Sequence, residues 1–260
     1  MKKAHKQRCP SWVKHLTGIL IFLLIWELVV RVGIFSSQQL SPPSQVIETF
    51  FTKLTDPRPD GATLGEHFIA SFSVTLGGFL LACLIGIPAG LAMGYYRPAY
   101  LLINPIFELV RPIPPIAWIP IITLLLGIDA KARIFIIFLS AIVPVVINAY
   151  TGIQRTPQNY IHVGQSLGMS RWRIFTRICI PYALPTLFTG VRLSLSTAWA
   201  ALVAAEMMAS VRGLGYMIQM GRLLIKPDII ITGMFTIGCT GALLSVVLTM
   251  LEKRLTKWGS

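Results

Sequence analysis

The sequence contains few charged residues, and acidic residues are the scarcest of them. Charged residues make up 13% of the 260 residues, with 10 acids against 23 bases, while 54% of the residues are hydrophobic. Ordinary soluble domains carry about a quarter charged residues. A single soluble core cannot bury so much apolar side chain, so the composition excludes an ordinary soluble protein and indicates an integral membrane protein.

Motifs of reactive residues are also absent. No Gly-x-x-x-x-Gly-Lys-Ser/Thr segment occurs, so the chain has no P-loop in which to bind ATP phosphates. No His-Glu-x-x-His or Ser-His-Asp arrangement stands out, so we predict neither an enzyme nor catalytic residues. The cysteines are too widely spaced for a metal-ligand pair, and no metal site is predicted. They are Cys9, Cys83, Cys179 and Cys239.

The net charge of +13 reflects membrane topology rather than nucleic-acid binding, because no basic stripe is interleaved with exposed aromatic residues. Lys and Arg are enriched in the cytoplasmic loops of membrane proteins. An orientation with both termini in the cytoplasm places thirteen bases inside and eight outside. The sequence therefore predicts a basic cytoplasmic N-terminus over residues 1–15 and a cytoplasmic C-terminus over residues 252–260.

Six stretches approach the roughly 20 apolar residues that a helix needs to cross a bilayer. The third contains Pro112, Pro114, Pro115 and Pro120, so we predict that its helix breaks there. Since lipid does not tolerate exposed non-helical backbone, we expect this broken span to be interior. Residues 16–251 are predicted to form one all-α domain of six transmembrane helices. The predicted spans are Leu16–Phe35, Ser71–Tyr96, Tyr100–Ile128, Ala132–Ile153, Ala183–Met208 and Ile229–Leu251.

A polar, basic loop over residues 154–182 separates the fourth and fifth predicted spans. Within it, Gly168 can end a helix with a positive φ, and Ser170 can cap the next one. Apolar and basic faces follow, as in a short helix that binds in a partner's groove. The residues predicted to contact a cytoplasmic partner are His162, Val163, Gly164, Gln165, Ser166, Leu167, Gly168, Met169, Ser170, Arg171 and Trp172.

The run that begins at Leu167-Gly168 and continues to Ile180-Pro181 and Leu184-Pro185 resembles the coupling loop of binding-protein-dependent ABC importer permeases. In that family, the loop docks onto the ATP-hydrolysing subunit. The chain departs from the family pattern at His162-Val163-Gly164, where the family has Glu-Ala-Ala. The missing Glu removes a charge that could pair with the ATPase, and Gly164 costs the helix about 1 kcal/mol relative to Ala.

Two further stretches are similar to the nitrate/sulfonate/taurine-type permeases. One is Asn104–Pro120 in the third span, and the other contains Ala204-Ala205-Glu206-Met207 and the later Gly213-Leu214-Gly215-Tyr216. A departure is Ser245, where many relatives carry an Asp. The resemblance implies the fold of a type I ABC importer permease, with six transmembrane helices and a cytoplasmic coupling helix.

The same resemblance implies a function and a set of partners. The chain is expected to be the permease subunit of an ATP-driven importer for a small anionic solute of the sulfonate/taurine, nitrate or bicarbonate class. Its expected partners are two ATP-binding cassette ATPase subunits, which carry ATP and Mg, a second copy of the permease, a periplasmic or extracellular solute-binding protein, and membrane lipid. No cofactor in this chain and no nucleic acid are expected. The expected location is the bacterial cytoplasmic membrane.

Ionisable residues inside a span are costly, so they are candidates for the translocation pathway. Arg111 either clamps the proline break or contacts the solute. Arg192 either offers a cation to the solute or pairs with Glu108, and Ser196 lies one turn further along the same span. Glu206 is expected near the membrane interface. The predicted pathway residues are Arg111, Arg192, Glu108 and Ser196.

Other features leave alternatives open. The Gly86-x-x-x-Gly90-x-x-x-Gly94 stripe lets another backbone approach closely, either from a neighbouring span or from a second copy. Glu27 and Arg31 are spaced to form an ion pair near the outer surface. A secondary transporter driven by an ion gradient remains an alternative function, since such proteins also use broken helices and buried charge.

Overall fold

The computed structural model describes residues 11–36 and 38–255. Residues 1–10, which belong to the basic N-terminus and include Cys9, lie outside the described residues. Residues 256–260 lie outside them as well. All regular secondary structure in the described part is helical. The α-helices are α1 (Ser11–Arg31), α2 (Pro43–Lys53), α3 (Leu64–Tyr95), α4 (Arg97–Val110), α5 (Ile119–Leu126), α6 (Ala130–Gln154), α7 (Gln158–Ser166), α8 (Arg171–Ile174), α9 (Ile180–Ala209), α10 (Leu214–Leu223) and α11 (Pro227–Leu255).

Four helices among the described residues are long and apolar enough to cross a membrane. They are α3, α6, the Pro227–Met250 part of α11, and the 39-residue helix Arg171–Ala209, in which a π-helical turn (Phe175–Cys179) joins α8 to α9. A fifth span results if α4 and the following segment, Pro115–Leu126, are counted as one span bent by 85°. The helix α1 lies where the first span was predicted, and the total of six spans stays a prediction.

The centre of the chain is a stack of α3, α6 and α9. The glycine stripe of α3 faces α6: a Cβ on Gly90 would lie 2.6 Å from the carbonyl oxygen of Val146, and a Cβ on Gly94 would lie 2.7 Å from Cβ of Ile153. The close approach therefore serves packing against a neighbouring span of the same chain, and this face of α3 is occupied.

The proline-rich third span breaks as predicted. Its helix α4 ends at Val110, a 3-10 turn follows at Pro115–Trp118, and α5 then continues in a different direction. In the single chain this span is only partly interior: Ile119 and Ile122 of α5 are buried, but α4 has no buried residue and Leu124 of α5 is 84% exposed. An apolar sequence pattern does not distinguish burial by the same chain from burial by lipid or by a second chain.

Local contacts organise the segment between the first two predicted spans. It contains the short helix α2, and a capping box of Thr63 and Glu66 begins α3. The predicted ion pair between Glu27 and Arg31 forms at 2.7 Å, and Glu27 also accepts a 2.8 Å hydrogen bond from the Ser44 hydroxyl. This carboxylate thereby connects α1 to the start of α2.

Candidate functional site

The predicted coupling loop forms a helical hairpin of α7 and α8. Gly168 adopts a φ of +70° after α7, and the backbone N–H of Met169 donates to the carbonyl oxygen of Gly164 at 3.0 Å. Ser170 then caps α8, its hydroxyl oxygen accepting from the backbone N–H of Arg173 at 3.4 Å. The local geometry predicted for Gly168 and Ser170 is confirmed.

Gly164 is buried where α7 crosses the π-helical turn. A Cβ at this position would lie 2.9 Å from Cδ1 of Ile178 and 3.2 Å from Cγ1 of Ile174. The sequence pattern indicated only the lower helix propensity of glycine. The structure shows that the position also needs a small side chain, so that α7 can pack closely against the segment that follows it.

Three apolar side chains of the hairpin point away from the protein. Val163 is 58% exposed, Leu167 is 74% exposed and Trp172 is 61% exposed. Arg171 and Arg173 are exposed beside them, and so is His162. Among the described residues, this apolar patch with a basic rim is not covered by the chain itself, which is typical of a helix that packs into a partner's groove.

The second arm of the hairpin is the first turn of the fifth span. The sequence predicted that this span begins at Ala183, but one continuous helix runs from Arg171 to Ala209. The Tyr95 hydroxyl donates to the carbonyl oxygen of Arg171 at 2.9 Å, and the Tyr95 and Phe175 rings lie 4.8 Å apart. The hairpin is thus attached both to the end of α3 and to a helix that reaches the opposite end of the protein.

Two of the predicted pathway residues lie beside a large cavity. Arg111 lines an open cavity of about 410 Å³ formed by the broken third span together with α6 and α9. Its guanidinium lies 2.9 Å from the Glu108 carboxylate, and both side chains are more than 40% exposed. The sequence motifs did not identify Ser140 and Asn148, two polar side chains that line the same cavity together with Thr197.

The other two predicted pathway residues lie in a separate crevice. Arg192 and Ser196 line a space of about 200 Å³ between α9 and α11, and Ser245 lines it as well. The Arg192 guanidinium lies 3.3 Å from the Glu252 carboxylate, so the predicted pairing of Arg192 with Glu108 is wrong. The structure of one chain therefore does not bring the four predicted pathway residues into one cavity.

Glu206 is completely buried, which contradicts the expectation that it lies at the interface. Its carboxylate accepts hydrogen bonds of 2.8 Å from the Ser71 hydroxyl and from the backbone N–H of Gly215. Arg133 lies 3.8 Å away. The Ser71 oxygen also accepts from the backbone N–H of Leu214 at 2.8 Å, so Glu206 and Ser71 together hold the first turn of α10.

A second group of buried polar residues lies next to the group formed by Glu206 and Ser71. Nδ1 of His67 accepts from the backbone N–H of Gly213 at 3.0 Å, and its Nε2 lies 3.2 Å from the Asp60 carboxylate. Lys53 is 2% exposed and donates to Asp60 and to the carbonyl oxygen of Ala62. Burial alone would raise the pKa of Asp60, but interactions with His67 and Lys53 outweigh it and lower the pKa below its ordinary value.

We call these side chains the outer polar cluster, after the side of the membrane on which the distribution of Lys and Arg predicts them to lie. Its members are far apart along the chain, so no sequence motif identified the cluster, and only the fold brings them together. One signal was available in the sequence: Glu206 is an acidic residue in an apolar stretch, and the Gly213-Leu214-Gly215 turn follows it closely. The cluster comprises Lys53, Asp60, His67, Ser71, Arg133 and Glu206.

No group of three or more His, Cys, Asp or Glu residues in the described part is arranged to hold a metal ion. The exposed features include the hairpin of α7 and α8 (the coupling hairpin), the Arg111 cavity, the Arg192 crevice and a charged cleft beside α2. The coupling hairpin carries an apolar patch with a basic rim. The Arg111 cavity and the Arg192 crevice combine charge with apolar walls, as ligand sites do.

The chain is similar to known transport permeases. The chain is 36% identical to the taurine transport system permease protein TauC of Escherichia coli K12 over 92% of this chain and 86% of the relative. It is 33% identical to the nitrate import permease protein NrtB of Synechocystis, covering 94% of this chain and 89% of that protein. The bicarbonate transport system permease protein CmpB of the same organism is also 33% identical, covering 97% and 92% respectively.

Solved structures share the fold. A chain of the inward-facing MetNI methionine ABC transporter superposes with a TM-score of 0.64 at 19% identity, over 72% of this chain and 94% of that chain. Residues 82–258 match the family model described as the binding-protein-dependent transport system inner membrane component. This chain therefore belongs to that family, the multi-pass membrane permeases of ABC transporters.

Proposed function

We propose that this chain forms the translocation pathway of an ATP-driven importer for a small anionic solute of the sulfonate/taurine, nitrate or bicarbonate class. The relatives named for taurine, nitrate and bicarbonate support this range of solutes. The observation that carries the proposal is the exposed coupling hairpin on the end of a helix that continues through the membrane-spanning core.

Two ATPase subunits, each binding ATP and Mg, would receive the hairpins of two permease chains. The residues from His162 to Trp172 supply an exposed apolar patch with basic residues around it, a surface suited to a groove with an acidic rim. Because α8 and α9 are continuous, a displacement of the hairpin moves the fifth span with it. ATP can drive the transport cycle through the hairpin only if it binds one conformation of the transporter more tightly than the other.

A second copy of the chain would cover the exposed third span. The leucines of α4 and α5 present a large apolar surface, yet Arg111 and Glu108 lie within the same surface. Charged side chains are not stable facing lipid, so this face is better suited to a protein partner that encloses a water-filled path. The Arg111 cavity would then open onto a pathway between the two copies.

The solute-binding protein would dock on the outer face, with both termini of the permease in the cytoplasm. The segments available to it are α2, the turn that follows, and the junction of α10 with α11. A cleft of about 510 Å³ separates them and is lined by charged residues, including Glu48, Lys226 and Asp228. The distribution of Lys and Arg supports this orientation.

The test is a charge placed on the turn of the hairpin. Gly168 has a positive φ and a Cβ there would meet no atom within 4 Å, so Gly168→Asp adds charge without a steric clash. Asn tolerates the same backbone conformation, which makes Gly168→Asn the neutral control. We expect Gly168→Asp to insert normally but to lose co-purification of the ATPase and ATP-dependent uptake, while Gly168→Asn keeps both.

Full uptake by Gly168→Asp would contradict the assignment of the hairpin. Purification of the wild-type chain without any P-loop ATPase, together with solute transport in proteoliposomes that depends on an ion gradient and not on ATP, would instead support a secondary transporter. The two functions are thus separated by the energy source that the reconstituted protein requires.

A further inference from the structure

Two cavities lie side by side along α9 and α11. The first is the Arg192 crevice, with a volume of about 200 Å³. The second, which we call the apolar slot, has a volume of about 160 Å³ and lies where α3, α9 and α11 meet. Leu195, Leu244 and Leu248 line both cavities. Leu244 and Leu248 are only half-buried, so a flexible chain that enters the crevice can continue over them into the apolar slot.

The Arg192 crevice holds the polar groups of this pair of cavities. A guanidinium carries five N–H donors, and the 3.3 Å contact of Arg192 with Glu252 engages only one of its nitrogen atoms, Nη1. The Arg192 side chain is 38% exposed, so its other donors are accessible. Ser245 is exposed as well, and its hydroxyl makes no hydrogen bond to the residues that the structure describes. The crevice thus offers N–H and O–H donors to an acidic group.

The apolar slot offers almost nothing to a polar ligand. Among the described residues of its wall only Thr75 is polar, and the Thr75 hydroxyl donates to the carbonyl oxygen of Ser71 at 2.8 Å. Leu76 and Val247 in the wall are 38% and 44% exposed, so the slot opens on the side of the helix stack. A groove of this character suits a hydrocarbon chain.

An acidic head joined to a hydrocarbon chain matches this order of cavities. A small anion of the nitrate or sulfonate type would contact Arg192 and leave the apolar slot empty, and a plain hydrocarbon would leave the arginine without a ligand. Anionic phospholipids combine both parts, and basic pockets between membrane-spanning helices bind their headgroups. Lipid chains are as apolar as leucine, so the slot by itself gains little and the headgroup contact decides which lipid binds.

We infer that the Arg192 crevice and the apolar slot together bind one anionic phospholipid. Its phosphate group contacts Arg192 and Ser245, and one acyl chain lies in the slot. Glu252 competes with the phosphate for the guanidinium, so this carboxylate weakens the lipid site. A lipid held here connects α9, which continues from the coupling hairpin, to α3 and α11. This lipid site is independent of the proposed import function.

The test is lipid binding by native mass spectrometry, with the full-length permease purified in detergent together with the subunits that accompany it. Phosphatidylglycerol and phosphatidylcholine with identical acyl chains are titrated, so that only the headgroup charge differs. We expect the wild type to bind phosphatidylglycerol about fivefold more tightly than phosphatidylcholine, as one basic side chain near a lipid headgroup implies.

Two variants of the ion pair have opposite expected effects. Arg192→Gln removes the guanidinium and should abolish the preference for phosphatidylglycerol. Glu252→Gln disrupts the same ion pair but leaves the guanidinium to the phosphate, so it should strengthen phosphatidylglycerol binding. An ion pair with a purely structural role would shift both variants in the same direction. Arg222→Gln, a matched change at an exposed arginine of α10 that lines neither cavity, should keep the wild-type preference.

A second pair of variants tests the apolar slot without touching the polar groups. Val247 lines the slot and is 44% exposed, so Val247→Trp fills the slot from its open side. We expect this variant to lose the tightly bound phosphatidylglycerol. The neighbouring Val246 is 49% exposed and lines neither cavity, so Val246→Trp is the matched control and should bind as the wild type does.

Equal affinity of the wild type for the two lipids would overturn the inference whether or not the variants fold. A preference that survives Arg192→Gln, weaker phosphatidylglycerol binding by Glu252→Gln, or unchanged binding by Val247→Trp would overturn it as well. Octanesulfonate carries an acidic head and a hydrocarbon chain in soluble form, and we expect it not to displace phosphatidylglycerol. Displacement by octanesulfonate at a lower concentration than phosphatidylglycerol itself requires would overturn the assignment to a membrane lipid and assign the site to a soluble amphiphile.

Discussion

The outer polar cluster and the Arg111–Glu108 pair are both charged groups within an apolar protein, but their surroundings are opposite. In the cluster, Glu206 is completely buried and receives two hydrogen bonds of 2.8 Å from different helices. The Arg111–Glu108 pair is more than 40% exposed at a helix break. A charge enclosed by its own chain holds helices together, whereas an ion pair on the exposed surface of one helix does not.

The largest effect is expected for Glu206→Ala. The change leaves Arg133 and the first turn of α10 without their buried acceptor, and removal of one partner from a buried charge pair costs about 3–5 kcal/mol. We expect a large fall in the thermal unfolding midpoint of the detergent-purified protein. Glu206→Gln keeps an acceptor oxygen, so its midpoint should fall less. A midpoint within about one degree of wild type for Glu206→Ala would show that the cluster is not a structural anchor.

Acidification should weaken the part of the outer polar cluster that consists of Asp60, His67 and Lys53. Because the pKa of Asp60 is lowered in the folded protein, its stabilising contribution is complete above its unfolded pKa of about 3.9 and is lost as the pH falls through its folded value. Loss of such a buried acceptor costs about 1–3 kcal/mol. The difference in unfolding midpoint between wild type and Asp60→Asn should be constant from pH 7 to pH 5 and should narrow below pH 4. A difference that widens on acidification would contradict a lowered pKa for Asp60.

The Arg192–Glu252 ion pair is intermediate in exposure between the outer polar cluster and the Arg111–Glu108 pair. The side chains are 38% and 23% exposed and connect α9 to α11. Pairs this accessible contribute about 1 kcal/mol or less. In a double-mutant cycle with Arg192→Gln and Glu252→Gln, we expect a coupling energy within that bound from chemical denaturation. A coupling of several kcal/mol would place this pair with the outer polar cluster as a structural element.

The smallest effect on stability is expected for Glu108→Gln. In the detergent-purified protein the replacement removes only an exposed ion pair between residues three apart, which contributes about 0.2–0.5 kcal/mol, so the free energy of unfolding should change by less than about 0.5 kcal/mol. The unfolding midpoint measures this directly. A strong destabilisation would show that the Arg111–Glu108 pair stabilises the fold, as Glu206 is expected to do.

Much of the local structure was accessible from the sequence. The proline run predicted the break of the third span, Gly168 and Ser170 predicted the hairpin turn and its cap, and the Gly86–Gly94 stripe predicted a close helix contact. These features depend on backbone conformation and side-chain size over a few neighbouring residues. Sequence motifs specify such properties directly.

The properties that the sequence determined by itself are the apolar composition, the family motifs and the local breaks and caps of the helices. Only the tertiary structure decided that Glu206 is an anchor, that Gly164 is a packing position, and that Arg192 and Arg111 lie in different cavities. The physical reason is that the stability of a charge depends on groups contributed by distant parts of the chain. Ser71 and Glu206 are 135 residues apart, and no local pattern relates them.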